Sequence, residues 1–186
     1  MGRPMQKTID QLRDKYSIEY NQTDLAEEFV TVFLLHYWQG LKTFGEETII
    51  SRTNWTINTH LSFFNSCKLA GYTVSFEAEG RQDAIIYEPM GNNVFLCAEW
   101  EWVAEDVFGP GKELDKLFNT LNNKGSNTIT PIAFLLTYLE EERYPEYIER
   151  VYKEWIQLVG ELDYQLIVTV ALFNYHEQSK QSNLRT

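Results

Sequence analysis

The chain is short of positive charge. Its 186 residues carry 16 Lys and Arg against 27 Asp and Glu, a formal net charge of −11. That balance argues against a protein that grips nucleic acid along a broad basic stripe, so any phosphate contact has to be local or metal-assisted. Cysteine is also scarce. Cys67 and Cys97 sit in apolar contexts without Cys-x-x-Cys spacing, which excludes a disulfide framework and points to reduced core thiols in a reducing compartment. His36, His60 and His176 are scattered, with none of the short spacings of a zinc site. A Gly-x-Ser-x-Gly elbow is missing, and Gly109-Pro110-Gly111-Lys112 lacks the spacing of a phosphate loop, so it reads as a helix-starting turn. No apolar run approaches the ~18–20 residues of a membrane span, and Met1-Gly2-Arg3-Pro4-Met5 opens no apolar signal region. The expectation is a cytoplasmic protein with no membrane association.

What the chain does have is a core. With 44% hydrophobic and 15% aromatic residues it belongs to the globular class. Neither an internal repeat nor a linker interrupts it, so residues 1–186 read as one domain with a core over about 24–173. After a cap at Thr23-Asp24, apolar residues at 25, 29, 32, 33, 36 and 37 describe a helix; Thr59–Ala70 describes a second, stopped by Gly71. The period then changes to two. Tyr72–Glu79, Asp83–Glu88 and Val94–Trp102 read as three strands joined by turns at 80–82 and 89–93. A helix from Lys112 to about Asn123, an apolar strand Pro131–Leu139, a helix from Pro145 and a strand Leu166–Phe173 complete the order. Its expected apolar side is Ile148, Val151, Tyr152, Trp155 and Ile156. The expected fold is therefore α/β. An antiparallel three-strand meander leads into parallel strands, giving a mixed central sheet flanked by helices.

Three carboxylates stand out on this frame. Glu99 and Glu101 are two apart on a strand, so they leave the same face about 7 Å apart, while Trp100 and Trp102 face the other way. With a turn at 89–93 that sets Glu88 opposite Val94, Asp83 falls directly across from Glu99 and Arg81 across from Glu101. Like charges directly opposite one another destabilise a sheet and push one pKa upward. A bound divalent cation would remove the conflict. For Glu101, a cross-strand ion pair with Arg81 is the plain alternative.

At these residues the chain resembles the PD-(D/E)xK nuclease superfamily, the restriction-endonuclease-like fold, in a Glu-x-Glu variant. Gln82-Asp83 stands where that family has Pro-Asp, and Glu99-Trp100-Glu101 stands where it has (Asp/Glu)-x-Lys. The resemblance covers about Asp24 to Phe173, mostly as element order. It implies Mg²⁺ or Mn²⁺ held by Asp83 and Glu99, with Glu101 as a further ligand or as general base for the attacking water. It also implies an acid from the first helix, Glu27 or Glu28, of which Glu28 is placed in the ligand set. The family's lysine is replaced by Glu101; its role could pass to Lys112 or Lys116 on the following helix, which otherwise read as solvated charges pairing with Glu113 or Asp115.

The activity that follows from the resemblance is a Mg²⁺-dependent DNA endonuclease, restriction-type or phage-associated, with DNA as partner. A homodimer would suit an enzyme cutting both strands, though no segment announces an interface. The alternative, motivated by the charge of −11 and the missing lysine, is a catalytically inactive acidic member of the fold. It would work by binding protein, as a DNA mimic or a regulatory module.

Overall fold

The computed structural model describes residues 22–44, 51–78, 82–89, 93–124, 131–173 and 182–185. The chain divides into two units. One comprises residues up to Thr73 together with Glu88–Asn92; the other comprises Val74–Tyr87 and Asn93–Thr186.

The first unit holds helices α1 (Gln22–Phe44) and α2 (Arg52–Ala70). α1 buries Ala26, Phe29, Val30, Phe33 and Tyr37, a stripe at helical spacing. Phe63 of α2 meets it, with its ring 4.4 Å from Phe33 and 6.3 Å from Phe29. α2 begins seven residues earlier than its apolar pattern suggests. Ser51 caps it, accepting from the Asn54 N–H, and its buried face is largely polar: Asn58, Thr59, Ser62 and Ser66. The Thr59, Ser62 and Ser66 hydroxyls each donate to the carbonyl four residues back, which makes them tolerable inside. A left-handed Gly71 (φ 80°) closes the helix.

Gly40 is required by close approach. A Cβ there would lie 1.6 Å from Asn58 Oδ1, and Asn58 is held by donating from Nδ2 to the Tyr37 carbonyl at 3.2 Å.

The second unit is built on a six-stranded sheet in the order β1-β2-β3-β4-β5-β6. The strands are β1 (Thr73–Ala78), β2 (Gln82–Tyr87), β3 (Val94–Glu101), β4 (Ile132–Glu140), β5 (Leu166–Phe173) and β6 (Ser182–Arg185). β2 and β3 are antiparallel, β3–β4 and β4–β5 are parallel, and β5–β6 is antiparallel. The sheet is therefore mixed, as its patterning implied; β6 lies beyond the expected core and carries no strand signal of its own.

Helices α3 (Glu113–Lys124) and α4 (Tyr144–Val159) supply the other half of this unit's core. Leu114, Leu117 and Leu121 of α3 and Tyr147, Val151, Trp155 and Val159 of α4 pack with Ile85, Cys97, Leu135, Leu139, Val170 and Leu172. Those strand positions share one sheet face. On α4 the buried stripe is rotated from the expected one, leaving Tyr152 67% and Ile156 45% exposed. Tyr147 and Val159 fix the rotation, because a stripe read without them fits two neighbouring helix faces equally well. Cys67 and Cys97 are buried and not disulfide-bonded.

Gly40→Ala is expected to lower stability by about 1–3 kcal/mol, because Asn58 must abandon its hydrogen bond or the helices must separate. Urea denaturation followed by circular dichroism measures this; an unchanged midpoint would contradict the tight approach.

Candidate functional site

The β2–β3 register carries the site. Ala84 pairs with Ala98, Ile85 with Cys97 and Ile86 with Leu96; one further step along the same register sets Asp83 opposite Glu99. The turn end differs from expectation. Tyr87, not Glu88, pairs with Val94, because the register shifts between Ile86 and Tyr87. A bulge absorbs the extra residue there and leaves the pairing nearer the site untouched.

Glu99 and Asp83 alternate onto the same face as Cys97 and Ile85, the face that packs against α3. Glu99 is 0% exposed, and neither carboxyl oxygen receives a hydrogen bond from a donor. Asp83 is anchored, accepting at Oδ2 from the Trp100 N–H at 2.8 Å. A third acid joins them from α3. Glu113, 7% exposed, acts on Glu99 both through space and through its carboxyl group.

The ammonium that reaches this cluster belongs to Lys116. Its Nζ lies 2.5 Å from Glu113 Oε2 and 3.6 Å from Glu99 Oε2. Gln82 fixes that turn of α3 by donating from Nε2 to the Lys116 carbonyl at 3.1 Å. Its own Oε1 is buried without a partner.

Burial dominates the electrostatics. It raises the Glu99 carboxyl to about 10, helped by the negative charges of Asp83 and Glu113 and opposed by Lys116. It raises Asp83 to about 6, opposed chiefly by the Trp100 hydrogen bond. Burial therefore favours the protonated form of Glu99, while the Lys116 ammonium donates to Glu113.

The other expected residues have surroundings of their own. Glu101 is partly exposed at the end of β3 and accepts at Oε1 from the Val103 N–H at 3.0 Å. Its proposed partner Arg81 lies outside the described residues. Glu27 and Glu28 are exposed on α1, in the other unit. Lys112 binds Asp106 at 2.7 Å on the surface. Of the tryptophans, Trp100 is buried against Phe76, and Trp102 stacks on Tyr138 with centroids 4.2 Å apart. Sequence reasoning missed Glu113 as a buried acid. The signal was available in its position, three residues before Lys116 at the head of the amphipathic helix between β3 and β4.

Among the described residues, no three His, Cys, Asp or Glu side chains are arranged to hold a metal ion. Asp83, Glu99 and Glu113 gather beside an ammonium instead, as an all-oxygen acidic set with one lysine. No protein-family model, curated protein or solved structure matches this chain.

Two raised carboxyl pKa values make the metal-free protein acid-favoured. The folded state binds protons that the unfolded chain has released, so this stabilisation is complete below the ordinary carboxyl pKa and is lost as pH rises through the folded values. Stability in chelator should therefore fall between about pH 5 and pH 9, by up to about 1.4 kcal/mol per pH unit for one proton. Glu99→Gln should flatten that slope and stabilise the protein at pH 8. Thermal melts across the pH range check this; a slope of the opposite sign would count against a protonated Glu99.

Proposed function

We propose that this chain is a divalent-metal-dependent DNA endonuclease of restriction or phage-associated type, with a restriction-endonuclease-like fold. The observation that carries the reading is Glu99. Its fully buried carboxyl receives no hydrogen bond, lies across the strand from a second acid, and has only the Lys116 ammonium at 3.6 Å as a nearby positive charge, a costly arrangement for a core position.

Asp83 and Glu99 are the residues to hold Mg²⁺ or Mn²⁺, since hard cations take oxygen ligands. The ion, when bound, supplies charge neutralisation at a phosphate and lowers the pKa of a water. The chain's own groups do the rest. The Trp100 N–H orients the Asp83 carboxylate, and Gln82 holds the turn of α3 that carries Lys116. Glu101, partly exposed at the carboxyl end of β3, is the group we assign to accept a proton from an attacking water at its carboxylate. The region lies towards the carboxyl ends of the parallel strands β3 and β4, where open α/β sheets accept ligands.

The net charge of −11 favours a second reading. An acidic, non-catalytic member of the fold would bind a basic protein surface and have no need of a metal. Failure to bind Mn²⁺ together with a stable protein complex would select it.

Supercoiled plasmid incubated with Mg²⁺ or Mn²⁺ should be nicked or linearised, and chelator should stop the reaction. Asp83→Asn and Glu99→Gln should each reduce the rate on the order of 10²-fold or more, and the double variant should be little worse than either, since the residues act as a unit. Undiminished cleavage by an Asp83→Ala, Glu99→Ala double variant would remove this site from consideration.

A further inference from the structure

Helix α2 carries its polarity reversed. Its buried side is largely polar, with Asn58, Thr59, Ser62 and Ser66, whereas Ile57, Leu61 and Phe64 keep 44%, 45% and 50% exposure. These three stand at i, i+4 and i+7, so they form one stripe along the side opposite the buried residues. A lone exposed leucine needs no explanation. A continuous apolar stripe on the outside of a helix that is polar within marks an interaction face.

Charge indicates what covers it. Of the four described helices, α2 alone has no acidic residue. In a chain with a net charge of −11, it is the helix that a second copy can approach with least repulsion. The α1–α2 pair is also charged lengthwise. The two helices run antiparallel, since Phe63 meets Phe29 and Phe33 while Asn58 reaches the Tyr37 carbonyl. Exposed Asp24, Glu27 and Glu28 therefore lie at one end of the pair, where they outnumber Lys68, and exposed Lys42 and Arg52 lie at the other.

We propose that this face is a homodimer interface, with α2 packing antiparallel on α2 of a second copy about a two-fold axis near Leu61. The midpoint of the stripe falls beside Leu61, so reversing the helix sets Ile57 against the partner's Phe64 and brings Leu61 close to its own copy. A patch that matches itself on reversal is what an isologous contact requires. The same reversal sets the Lys42 and Arg52 end of one hairpin against the acidic end of the other, which fixes the antiparallel sense. One helix face supplies less than the roughly 800 Å² per partner of a standard interface; the charged ends of α1 add to it, and the dimer falls in the weak, micromolar class. The interface is independent of the acid cluster, which lies in the other unit.

Sedimentation velocity of the full chain across a micromolar concentration series tests this. The natural protein is expected to pass from monomer to dimer as concentration rises. Leu61→Glu, which brings two carboxylates together at the axis, should weaken association on the order of 100-fold. Arg52→Glu should weaken it on the order of tenfold. Tyr152→Glu, at an exposed site on α4, should leave it unchanged. If circular dichroism shows the Leu61→Glu variant unfolded, Leu61→Gln takes its place, with a loss on the order of tenfold. A natural protein that stays monomeric throughout, whether alone or bound to neutral lipid vesicles, overturns the proposal, and so does a dimer that survives the Leu61 substitution.

Discussion

A carboxyl group with no donor, buried in the middle of a sheet, is the constraint around which the second unit is arranged. Glu99 sits on β3 between a β2 acid and an α3 acid, inside a face otherwise lined by Ile85, Cys97, Leu135 and leucines of α3. An ionised carboxylate in such surroundings costs several kcal/mol unless it is paired. The protein meets that cost in two ways at once. A proton is retained on Glu99, and Lys116 brings an ammonium in from the helix that follows. Neither arrangement improves packing, and an apolar residue at this position would avoid the problem altogether. A buried acid that the fold has to accommodate is therefore better understood as a site than as a core position.

The supporting elements are consistent with that view. Asp83 is aimed by a backbone N–H, and the head of α3 is tied to β2 through Gln82. The bulge that disturbs the hairpin falls at Tyr87, on the far side of the paired segment from the acids. Around the loop that joins β3 to α3, charge is managed at the surface instead. Lys112 pairs with Asp106 and Arg143 with Glu105, all substantially exposed, where such pairs contribute little. The contrast between these solvated pairs and the enclosed Glu99–Glu113–Lys116 group separates ordinary surface electrostatics from the candidate site.

The charge of −11 and the enclosed lysine bear on the same question from opposite sides. An acidic surface repels DNA, whereas Lys116 brings a local positive charge to within 3.6 Å of the buried Glu99.

Much of the frame was legible in the chain itself. The switch from a 3.6-residue to a two-residue period marked the strands, and alternation placed Glu99 with Asp83 and away from Trp100, because pleating leaves no freedom in that matter. The mixed sheet followed from the element order. The start of α2 was hidden because its buried face is largely polar: Thr59, Ser62 and Ser66 are satisfied by their own helix backbone and Asn58 by the Tyr37 carbonyl of α1. The rotation of α4 was hidden because period alone does not choose between adjacent helix faces. At the site, sequence determined which residues could be acids across from one another. Tertiary packing decided which acid completed the cluster: Glu113 is brought in by the docking of α3 on the sheet, and its place at the head of an amphipathic helix hints at burial without saying which side chains it meets. That same docking turns Lys116, one solvated charge among many when read in sequence, into the counter-ion of a buried carboxyl.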